Sequence, residues 1–588
     1  MALSRNLPLA FVAIFASTCL CAAQEAPKPA EKPVYHAVGA PAKPQVKVHW
    51  NTYHDYSEST EILQALTNAH PNFAKLQSLG KSIGGREMWV LTLTDFQKGE
   101  ADKKTGMWID GAIHANEIQA TEVVLYTAWW LLESRAQNPA VAKLLEEKTF
   151  YLMPMMSPDS RDSHFYKANT THSPRTGARP VDDDRDGLVD EDPSDDLDGD
   201  GHITQMRVKD RNGDWKPHPD YPELMVRVKE GEKGQYRLLG SEGIDNDDDG
   251  EVNEDGVGFY DPNRDWGHNW QPTYVQHGAY RYPFSILENR MVADFISARP
   301  NIAGAQSYHN AGGMILRGPG DKADKYDPED NKAIESIAKR GEEMLPGYKS
   351  MNIAEELYVV YGGSVDWLYA HRGVAPLTNE LFTGFNFFRK ASEGGFFGSA
   401  EDQQKFNKLL LLGDGFVAWH EVDHPQYGKI EVGGQKKSWI RQPPSFLLEE
   451  ECHRNMAFSL YHAMELPQIA IQSAEAKPLG GNLTEVTVIV ENPRTLPTRL
   501  AFDASKNITP PDIATIRGEK LGKVVAAMTS DEPFFRHPEV QKREPEQIKL
   551  KTVPGHGVVY LRWLVEGARP FSVEVVSVKG GTVKSEVK

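Results

Sequence analysis

Residues 105–122 read TGMWIDGAIHANEIQATE, and this stretch decides the predicted fold. The apolar residues 107–109 are typical of a short strand, whereas residues 118–133 contain no Gly or Pro and predict a helix. A loop with His114 and Glu117 joins the two. Ligands of α/β sheets bind where strands end and loops begin, and zinc accepts both imidazole nitrogen and carboxylate oxygen. The pair is therefore a candidate for metal ligands, although taken alone it fits a solvated loop better.

Strands and helices are predicted on both sides of this stretch. Residues 88–93 and 150–155 have the composition of strands, and residues 53–70 have the apolar spacing of a helix. This alternation indicates an α/β fold in which helices flank a sheet. After residue 465 the sequence changes to short runs of Val, Ile and aromatic residues between turns. Residues 466–588 are therefore predicted to form a separate, small all-β sandwich domain.

The N-terminal residues predict export. Arg5 precedes an apolar run over residues 7–20, and small residues follow, so residues 1–23 are interpreted as a signal peptide. Residues 24–45 are rich in Pro, Ala and Lys, which is typical of a linker. No later stretch is long and apolar enough to be a transmembrane segment. The expected location is therefore secreted or periplasmic.

Charge and cysteine content narrow the possible functions. The chain has 588 residues and a net charge of -18, so nucleic acid is not expected as a partner, because binding it requires a basic surface. Of three cysteines, only Cys452 lies outside the predicted signal peptide. The mature chain can then form no internal disulfide, and its stability must come from packing and bound metals.

Four further motifs follow downstream: DPNR at 261–264, SYHN at 307–310, GGSVDW at 362–367 and LTNEL at 377–381. Together with the His-x-x-Glu motif, they resemble the zinc metallocarboxypeptidases of the carboxypeptidase A type. This resemblance implies a catalytic domain over residues 46–465 with a mixed sheet flanked by helices. It is most specific around the motifs themselves, and residues 386–465 carry none that can be assigned.

The resemblance also implies a zinc site. His114, Glu117 and His309 would hold the ion and leave a fourth position for water. The metal lowers the pKa of that water and polarises the scissile carbonyl. Glu380 would be the general base that takes the proton and passes it to the leaving amine.

The same resemblance implies residues that recognise a chain terminus. Asn263 and Arg264 would bind the terminal carboxylate, for which a guanidinium is well suited. Asp261 would orient the first histidine ligand from behind. Tyr358 corresponds to a mobile tyrosine that closes over substrate in the family, with Tyr361 as a close alternative.

Two further assignments come from the same resemblance. Val365 occupies the variable position of the GGSxDW motif, which the family uses in its specificity pocket, and weakly favours an apolar or aromatic substrate residue. The family also has an arginine that stabilises the developing oxyanion. Arg207 is the predicted residue, with Arg161 and Arg175 as competing candidates.

An acidic insertion at about residues 175–258 departs from the family pattern. It contains three strings that read Asp-x-Asp-x-Asp-Gly, the opening of a calcium loop. The alternating acidic residues are Asp182, Asp184, Asp186, Asp196, Asp198, Asp200, Asp245, Asp247 and Asp249. Oxygens at alternate positions can converge on one hard cation. The insertion is therefore predicted to bind structural Ca²⁺, the alternative being a disordered acidic loop.

The predicted function is that of a secreted zinc metallocarboxypeptidase, which removes C-terminal residues from peptides that end in a free carboxylate. A cell-wall peptide hydrolase with the same zinc site and a different pocket is one alternative. A non-catalytic binding module with calcium-stabilised loops is another, but a pure binder has no need of Glu380. The natural substrate, the oligomeric state and the role of residues 466–588 are left open.

Overall fold

A computed structural model of the chain describes residues 38–391 and 398–588. The predicted signal peptide, residues 1–23, and most of the predicted linker, residues 24–45, lie outside the described residues. Within the two described ranges, no helix has the length and apolar character needed to cross a membrane.

The described residues form eleven α-helices and 23 strands. The helices are α1 (Tyr56–Ala69), α2 (Gln119–Ser134), α3 (Pro139–Glu147), α4 (Pro158–Tyr166), α5 (Leu287–Ser297), α6 (Pro328–Met344), α7 (Ser364–Arg372), α8 (Phe385–Phe388), α9 (Ala400–Leu410), α10 (Ser445–Met464) and α11 (Ala501–Lys506). The strands before residue 300 are β1 (Ala74–Lys81), β2 (Glu87–Leu93), β3 (Thr105–Gly111), β4 (Lys148–Met153), β5 (Gln205–Lys209), β6 (Trp215–Pro217), β7 (Met225–Arg227) and β8 (Tyr236–Ser241).

The later strands fall into two groups. Those before residue 465 are β9 (Ile302–Asn310), β10 (Met314–Arg317), β11 (Lys349–Asn352), β12 (Ala375–Leu381), β13 (Phe416–His424) and β14 (Gly428–Gln435). Those after it are β15 (Ala470–Gly480), β16 (Leu483–Asn492), β17 (Asp512–Arg517), β18 (Leu521–Ser530), β19 (Glu539–Val540), β20 (Gln547–Leu550), β21 (Gly557–Gly567), β22 (Ser572–Ser577) and β23 (Gly581–Glu586).

An eight-stranded mixed sheet, in the order β1-β2-β4-β3-β9-β12-β10-β11, carries the first part of the chain. The four central strands β4, β3, β9 and β12 run parallel. β1 pairs antiparallel with β2, β2 with β4, and β10 with β12, whereas β10 and β11 pair in parallel. Every residue of β3 and β9 is buried. Parallel strands are buried in this way when helices cover both faces of the sheet. The predicted mixed α/β sheet flanked by helices is confirmed.

Two apolar layers lie between this sheet and its helices. Helices α1, α2, α6 and α10 supply one layer, in which Leu66, Val124 and Phe458 are buried. Helices α5 and α7 supply the other, with Phe295 and Trp367. The two layers hold the central strands in place. They cover the faces of the sheet, so the loops at the carboxyl ends of the central strands lie together at one edge of it.

A second, six-stranded sheet, in the order β13-β14-β5-β8-β6-β7, joins the acidic insertion to residues 416–435. Its strand β5 pairs antiparallel with β14, and Met206, Ile430 and Val432 form a small core. The sequence did not predict this sheet. The insertion contains few apolar residues, and the strands that complete its sheet come much later in the chain.

The C-terminal part consists of two antiparallel sheets, β15-β16-β21-β18-β19 and β20-β17-β22-β23. Val488 and Trp563 from the larger sheet and Ile516 and Val575 from the smaller one belong to a single apolar cluster. The two sheets therefore pack face to face. The predicted small all-β domain is confirmed.

Lys579 connects this β domain to the α/β part. Its ammonium group is buried and donates hydrogen bonds to the carbonyl oxygens of Arg372, at 2.9 Å, and Gly373, at 2.5 Å. It also forms an ion pair with Asp503 at 3.0 Å. Burial lowers the pKa of Lys579, and the charge of Asp503 counteracts this effect.

Replacement of Lys579 by Met should lower the free energy of unfolding by about 3 kcal/mol, because the buried Asp503 loses the nearer of its two cations and keeps only Arg499, at 3.8 Å. Lys584 is exposed on the following strand, and Lys584→Met is the matched control, with an expected change within about 0.5 kcal/mol. Urea unfolding followed by circular dichroism measures both. Equal effects of the two substitutions would contradict a stabilising role for the buried pair.

Candidate metal centre and active site

Three side chains that the sequence analysis identified meet at one edge of the main sheet. Strands β3 and β9 are parallel neighbours, so their carboxyl ends lie side by side. His114 and Glu117 follow β3, and His309 lies near the end of β9. One ligand atom from each residue lies within 4.8 Å of the other two, and all three residues are buried.

The geometry of these atoms suits a bound cation. His114 Nδ1 lies 3.0 Å from Glu117 Oε1 and 3.0 Å from His309 Nδ1, and His309 Nδ1 lies 3.0 Å from Glu117 Oε2. His114 Nε2 donates to a carboxylate, which can only accept, so the neutral ring presents a lone pair at Nδ1. Two imidazoles and one carboxylate are a donor set that zinc binds. The residues present therefore fit the ion.

The charge of Glu117 is held by its surroundings. Burial alone would raise the pKa of this carboxyl group, but His114 and His309 hold it well below its ordinary value. Arg175 Nη1 also donates to Glu117 Oε1 at 3.1 Å. The group is therefore ionised, as a metal ligand must be.

Asp261 supports the first histidine from behind. Its Oδ1 accepts hydrogen bonds from His114 Nε2 at 2.9 Å and from the backbone N–H of Asn263 at 2.7 Å. Burial would raise the pKa of Asp261, but Arg264, His114 and Arg175 together hold it well below its ordinary value. An ionised carboxylate in this position fixes both the tautomer and the orientation of the imidazole.

The DPNR and GGSVDW motifs are connected by direct contacts. The Oδ1 atom of Asn263 accepts a hydrogen bond from the Ser364 backbone N–H at 3.0 Å, and the Trp266 N–H donates to the Gly362 carbonyl at 2.9 Å. Gly362 has a φ of +66°, and a Cβ there would lie 2.5 Å from the Arg264 carbonyl oxygen. Glycine is therefore required for the two segments to approach this closely. The structure brings Asn263 and Arg264 to the edge that carries the three candidate ligands.

Glu380 lies in β12, directly beside His309 in the register of the parallel pair β9–β12. Neighbouring residues in register point to the same face of a sheet. Burial, followed by the charge of Glu117, raises the pKa of Glu380 to about 7. A carboxyl group with this pKa can both accept and donate a proton near neutral pH.

Arg207, the predicted oxyanion arginine, has its contacts away from the three candidate ligands. Arg207 lies in the six-stranded sheet, where it forms an ion pair with Glu431 at 2.6 Å and stacks over Tyr236 and Trp419. The insertion carries Arg207 into this sheet, because its strand β5 pairs with β14. Arg207 is therefore used within that sheet.

The two competing arginines behave differently. Arg161 is fully buried, where it donates to the backbone carbonyl of His54 at 2.8 Å and pairs with Glu122 at 3.2 Å. Arg175 instead contacts Glu117 and Asp261 directly, at 3.1 and 3.3 Å. Burial would lower the pKa of Arg175, but the nearby charges of Asp261, Glu117, Glu380 and Tyr358 raise it above its ordinary value.

A third arginine at the site escaped the sequence analysis. Arg441 Nη1 donates to the Asn310 carbonyl at 2.6 Å and lies 3.4 Å from Glu117 Oε1, and its Nη2 contacts His172 Nδ1 at 2.9 Å. It belongs to a segment without any assigned motif. The sequence around it, RQPP at 441–444, is equally compatible with a solvated arginine in a loop.

The remaining predicted substrate residues differ in their exposure. Tyr358 directly follows a π-helical turn, Ile353–Leu357, and half of its surface is exposed. The backbone N–H of the alternative residue Tyr361 donates to Gln276 Oε1 at 2.9 Å. Val365 is buried at the start of α7, in a small cluster with Met314, Leu316, Met351, Ile353 and Val360.

An open cavity of about 550 Å³ lies next to the candidate site. Arg175 and Asp261 contribute to its lining, and Val257, Phe259 and Tyr260 provide apolar and aromatic surface. The cavity is therefore large enough for the side chain of a peptide substrate.

The acidic strings of the insertion form compact groups of carboxylates. One ligand oxygen from each of Asp182, Asp184 and Asp186 lies within 4.8 Å of the other two, and the same holds for Asp245, Asp247 and Asp249. In the middle string, the structure groups Asp196 and Asp198 with the buried Glu242. Asp200 is not part of that group, and its Oδ1 accepts a hydrogen bond from the His202 backbone N–H.

Comparison with known families identifies the class of this site. Residues 59–185 and 246–400 match the family model described as zinc carboxypeptidase. The match is interrupted between these ranges, where most of the acidic insertion lies. The matched ranges include the part of the chain that carries the candidate metal centre. Residues 468–588 match a model described as a domain of unknown function.

Several curated proteins are similar over part of the chain. Carboxypeptidase B of Astacus astacus is 36% identical over 110 residues, 19% of this chain and 34% of that protein. Zinc carboxypeptidase of Saccharothrix mutabilis subsp. capreolus is 32% identical over 108 residues, 18% and 24% of the two chains. Carboxypeptidase D of Rattus norvegicus is 28% identical over 134 residues, 23% and 10% of the two chains. The chain thus spans about a third or less of the length of these relatives.

Solved structures with a similar chain include thrombin activatable fibrinolysis inhibitor, with 16% identity and a TM-score of 0.43 over 71% of this chain and 77% of that one. Carboxypeptidase A from Helicoverpa armigera has 18% identity and a TM-score of 0.40, over 57% of this chain and 66% of that one.

Replacement of Asp261 by Asn should weaken zinc binding about 10-fold to 100-fold, because the carboxylate that orients His114 is lost. The affinity is measured by competition with a chromogenic zinc chelator. Asp294→Asn, on the exposed face of α5, is the control and should leave the affinity unchanged. An unchanged affinity in Asp261→Asn would contradict the supporting role.

Proposed function

We propose that this chain is a zinc-dependent metallocarboxypeptidase that removes C-terminal residues from peptides. The observation that carries the proposal is the convergence of His114, Glu117 and His309, with Glu380 beside His309 in register. A metal-binding module would need only the three ligands. A fourth, half-buried carboxyl group with a pKa near neutrality gives the site a proton acceptor, which hydrolysis requires.

The residues of the chain divide the work of hydrolysis. When bound, zinc would supply a Lewis acid that polarises the scissile carbonyl and acidifies water. Glu380 takes the proton from the attacking water and delivers it to the leaving amine. Asp261 keeps His114 in the orientation that presents Nδ1.

Recognition of a free C-terminus follows from the cations at the site. Asn263 and Arg264 bind the terminal carboxylate of the substrate, for which a guanidinium provides paired donors. Arg175, rather than Arg207, stabilises the charge that develops on the carbonyl oxygen. Its contacts to Glu117 and Asp261 support this role, since they place its guanidinium beside the candidate ligands. Tyr358 is exposed at the rim and closes over the bound peptide.

The preferred substrate residue is apolar or aromatic, and the chain acts outside the cytoplasm. Val365 lies in an apolar cluster, and the cavity beside Arg175 has aromatic walls, which favour an apolar side chain over a charged one.

The apolar run near the N-terminus, followed by small residues, supports export. The insertion binds structural Ca²⁺ in addition to the catalytic zinc, as its alternating aspartates suggest.

Replacement of Glu380 by Gln should reduce kcat about 10²-fold to 10⁴-fold while zinc content is retained, since Glu380 is not a ligand. Blocked dipeptides with free and amidated C-termini are the substrates. Glu343→Gln on α6 is the control and should leave activity intact. Equal cleavage of the amidated and free substrates would refute carboxypeptidase activity.

Replacement of Arg175 by Met should reduce kcat about 10²-fold to 10³-fold, because a donor to the developing oxyanion is removed. Zinc content is measured in parallel, since Arg175 contacts Glu117. Arg207→Lys is the comparison and should leave kcat unchanged. The reverse pattern, with only Arg207→Lys impaired, would restore the original assignment.

A further inference from the structure

Two of the three acidic strings belong to a longer repeat. Residues 182–192 read DDDRDGLVDED, and residues 245–255 read DNDDDGEVNED. The two segments are identical at positions 1, 3, 5, 6, 8, 10 and 11. The middle string, at 196–201, is not followed by the same ending. The first and third strings are therefore two copies of one structural unit, called here the first loop (182–192) and the third loop (245–255).

The backbones of the two loops agree with their sequences. Left-handed residues occur at positions 4, 6 and 9 of both. In the first loop these residues are Arg185, with φ +75°, Gly187, with φ +103°, and Asp190, with φ +54°. In the third loop they are Asp248, with φ +68°, Gly250, with φ +100°, and Asn253, with φ +67°. Such conformations are uncommon outside glycine, so their recurrence at matching positions shows that both segments fold in the same way.

The last residue of each loop reaches across to the other loop. Asp192 and Asp255 pair through an antiparallel bridge, which relates the two loops by a local two-fold axis. Asp255 Oδ1 accepts a hydrogen bond from the Asp183 backbone N–H in the first loop at 2.7 Å. Asp192 Oδ1 accepts one from the Asn246 backbone N–H in the third loop at 3.0 Å. Residues 183 and 246 both occupy position 2 of the repeat, so the exchange is reciprocal.

Buried oxygens without partners point to an occupant. Asp255 is only 1% exposed, and its Oδ2 has no hydrogen-bond partner among the described residues. One carboxylate oxygen of Asp255 lies within 4.8 Å of a carboxylate oxygen of Asp184 and of one of Glu191, both in the first loop. Both carboxylate oxygens of Glu191 and of Glu254, which share position 10, are also buried without a partner. Such oxygens are costly to bury unless a cation or a donor satisfies them.

Within the part of the chain that the structure describes, no Lys or Arg forms an ion pair with these carboxylates. Among the ion pairs of the described residues, none joins a Lys or Arg to an acidic residue of the first or third loop. Carboxylates at positions 1, 3, 5 and 10 of one loop, with one from the opposite loop, provide the oxygen-rich surroundings that Ca²⁺ requires.

We infer that the first and third loops form one paired unit for two calcium ions, in which Asp255 completes the site of the first loop and Asp192 completes that of the third. The inference rests on the calcium binding proposed above for the insertion. Mg²⁺ is the poorer candidate, since it requires near-ideal octahedral geometry and keeps several of its waters.

The pair lies directly next to the active site in the chain. Arg175 precedes the first loop, and Asp261 follows the third. Gly258 N–H donates to Asp190 Oδ1 at 2.9 Å, and Thr176 Oγ1 donates to the Val257 carbonyl at 3.3 Å. Calcium would therefore hold together the two ends of the insertion, and with them the segments that carry Arg175 and Asp261.

The full chain is freed of calcium with EGTA, separated from the chelator by gel filtration and reloaded with ZnCl₂, and this preparation provides the test. Hydrogen–deuterium exchange with mass spectrometry is followed in residues 182–191 and 245–254, with and without CaCl₂. Calorimetric titration counts the calcium ions. Asp255→Asn and Asp192→Asn are compared with Asp214→Asn, a surface aspartate of the same insertion that pairs with Arg227.

In Asp255→Asn, the calcium-dependent protection of residues 182–191 should be lost, and calcium affinity at that site should fall about tenfold or more. In Asp192→Asn, the same loss should appear in residues 245–254, while Asp214→Asn behaves as the unmodified chain. Loss of protection in the opposite loop supports the exchange, whether or not the substituted loop also loosens.

Three results would overturn the inference. Loosening confined to the loop that carries the substitution would show that the loops bind independently. Equal protection by MgCl₂ would overturn the assignment to calcium. Absence of calcium uptake by the unmodified chain would remove the calcium proposal itself, yet it would leave the zinc-dependent activity, measured in the same preparation, unaffected.

Discussion

The parallel pairing of β3 with β9 is the contact on which the candidate site depends. It places the residues after β3 beside the end of β9, and with them the three candidate zinc ligands. Asp110 reinforces this register, because its buried carboxylate accepts hydrogen bonds from Ser307 Oγ and Trp108 Nε1, both at 2.6 Å. Since helices cover both faces, the strands cannot shift without exposing apolar surface. The metal geometry is thus set by the core of the sheet.

Around this frame, loops supply the groups that act on a substrate. The DPNR turn is held against the GGSVDW segment by contacts that only glycine at position 362 allows. Asp261 in that turn holds His114, so the orientation of a candidate ligand depends on a distant segment. The acidic insertion lies between Arg175 and Asp261 in the chain. Its two ends contact each other near these residues, since Thr176 Oγ1 donates to the Val257 carbonyl.

The sequence predicted those parts of the site whose spacing is preserved in compact motifs. His114, Glu117, His309 and Glu380 follow from strand ends and short motifs, and the structure brings them to one edge. The arginine assignment did not follow in the same way. The insertion interrupts the register between the first ligands and Asn263, and β5 carries Arg207 into a second sheet. No sequence motif marks Arg441, because its contacts depend on where the loop between β14 and α10 lies in the folded chain.

By itself the sequence determined the alternation of strands and helices, the change to β structure after residue 465, and the chemical types of the candidate ligands. These are local properties, fixed by apolar periodicity and by short spacings along the chain. Only the tertiary structure decided which arginines contact Glu117, that β5 pairs with β14, and that Asp192 and Asp255 each bond to the opposite loop. Such contacts join residues far apart in the chain, and their free energy depends on the packing of the whole fold.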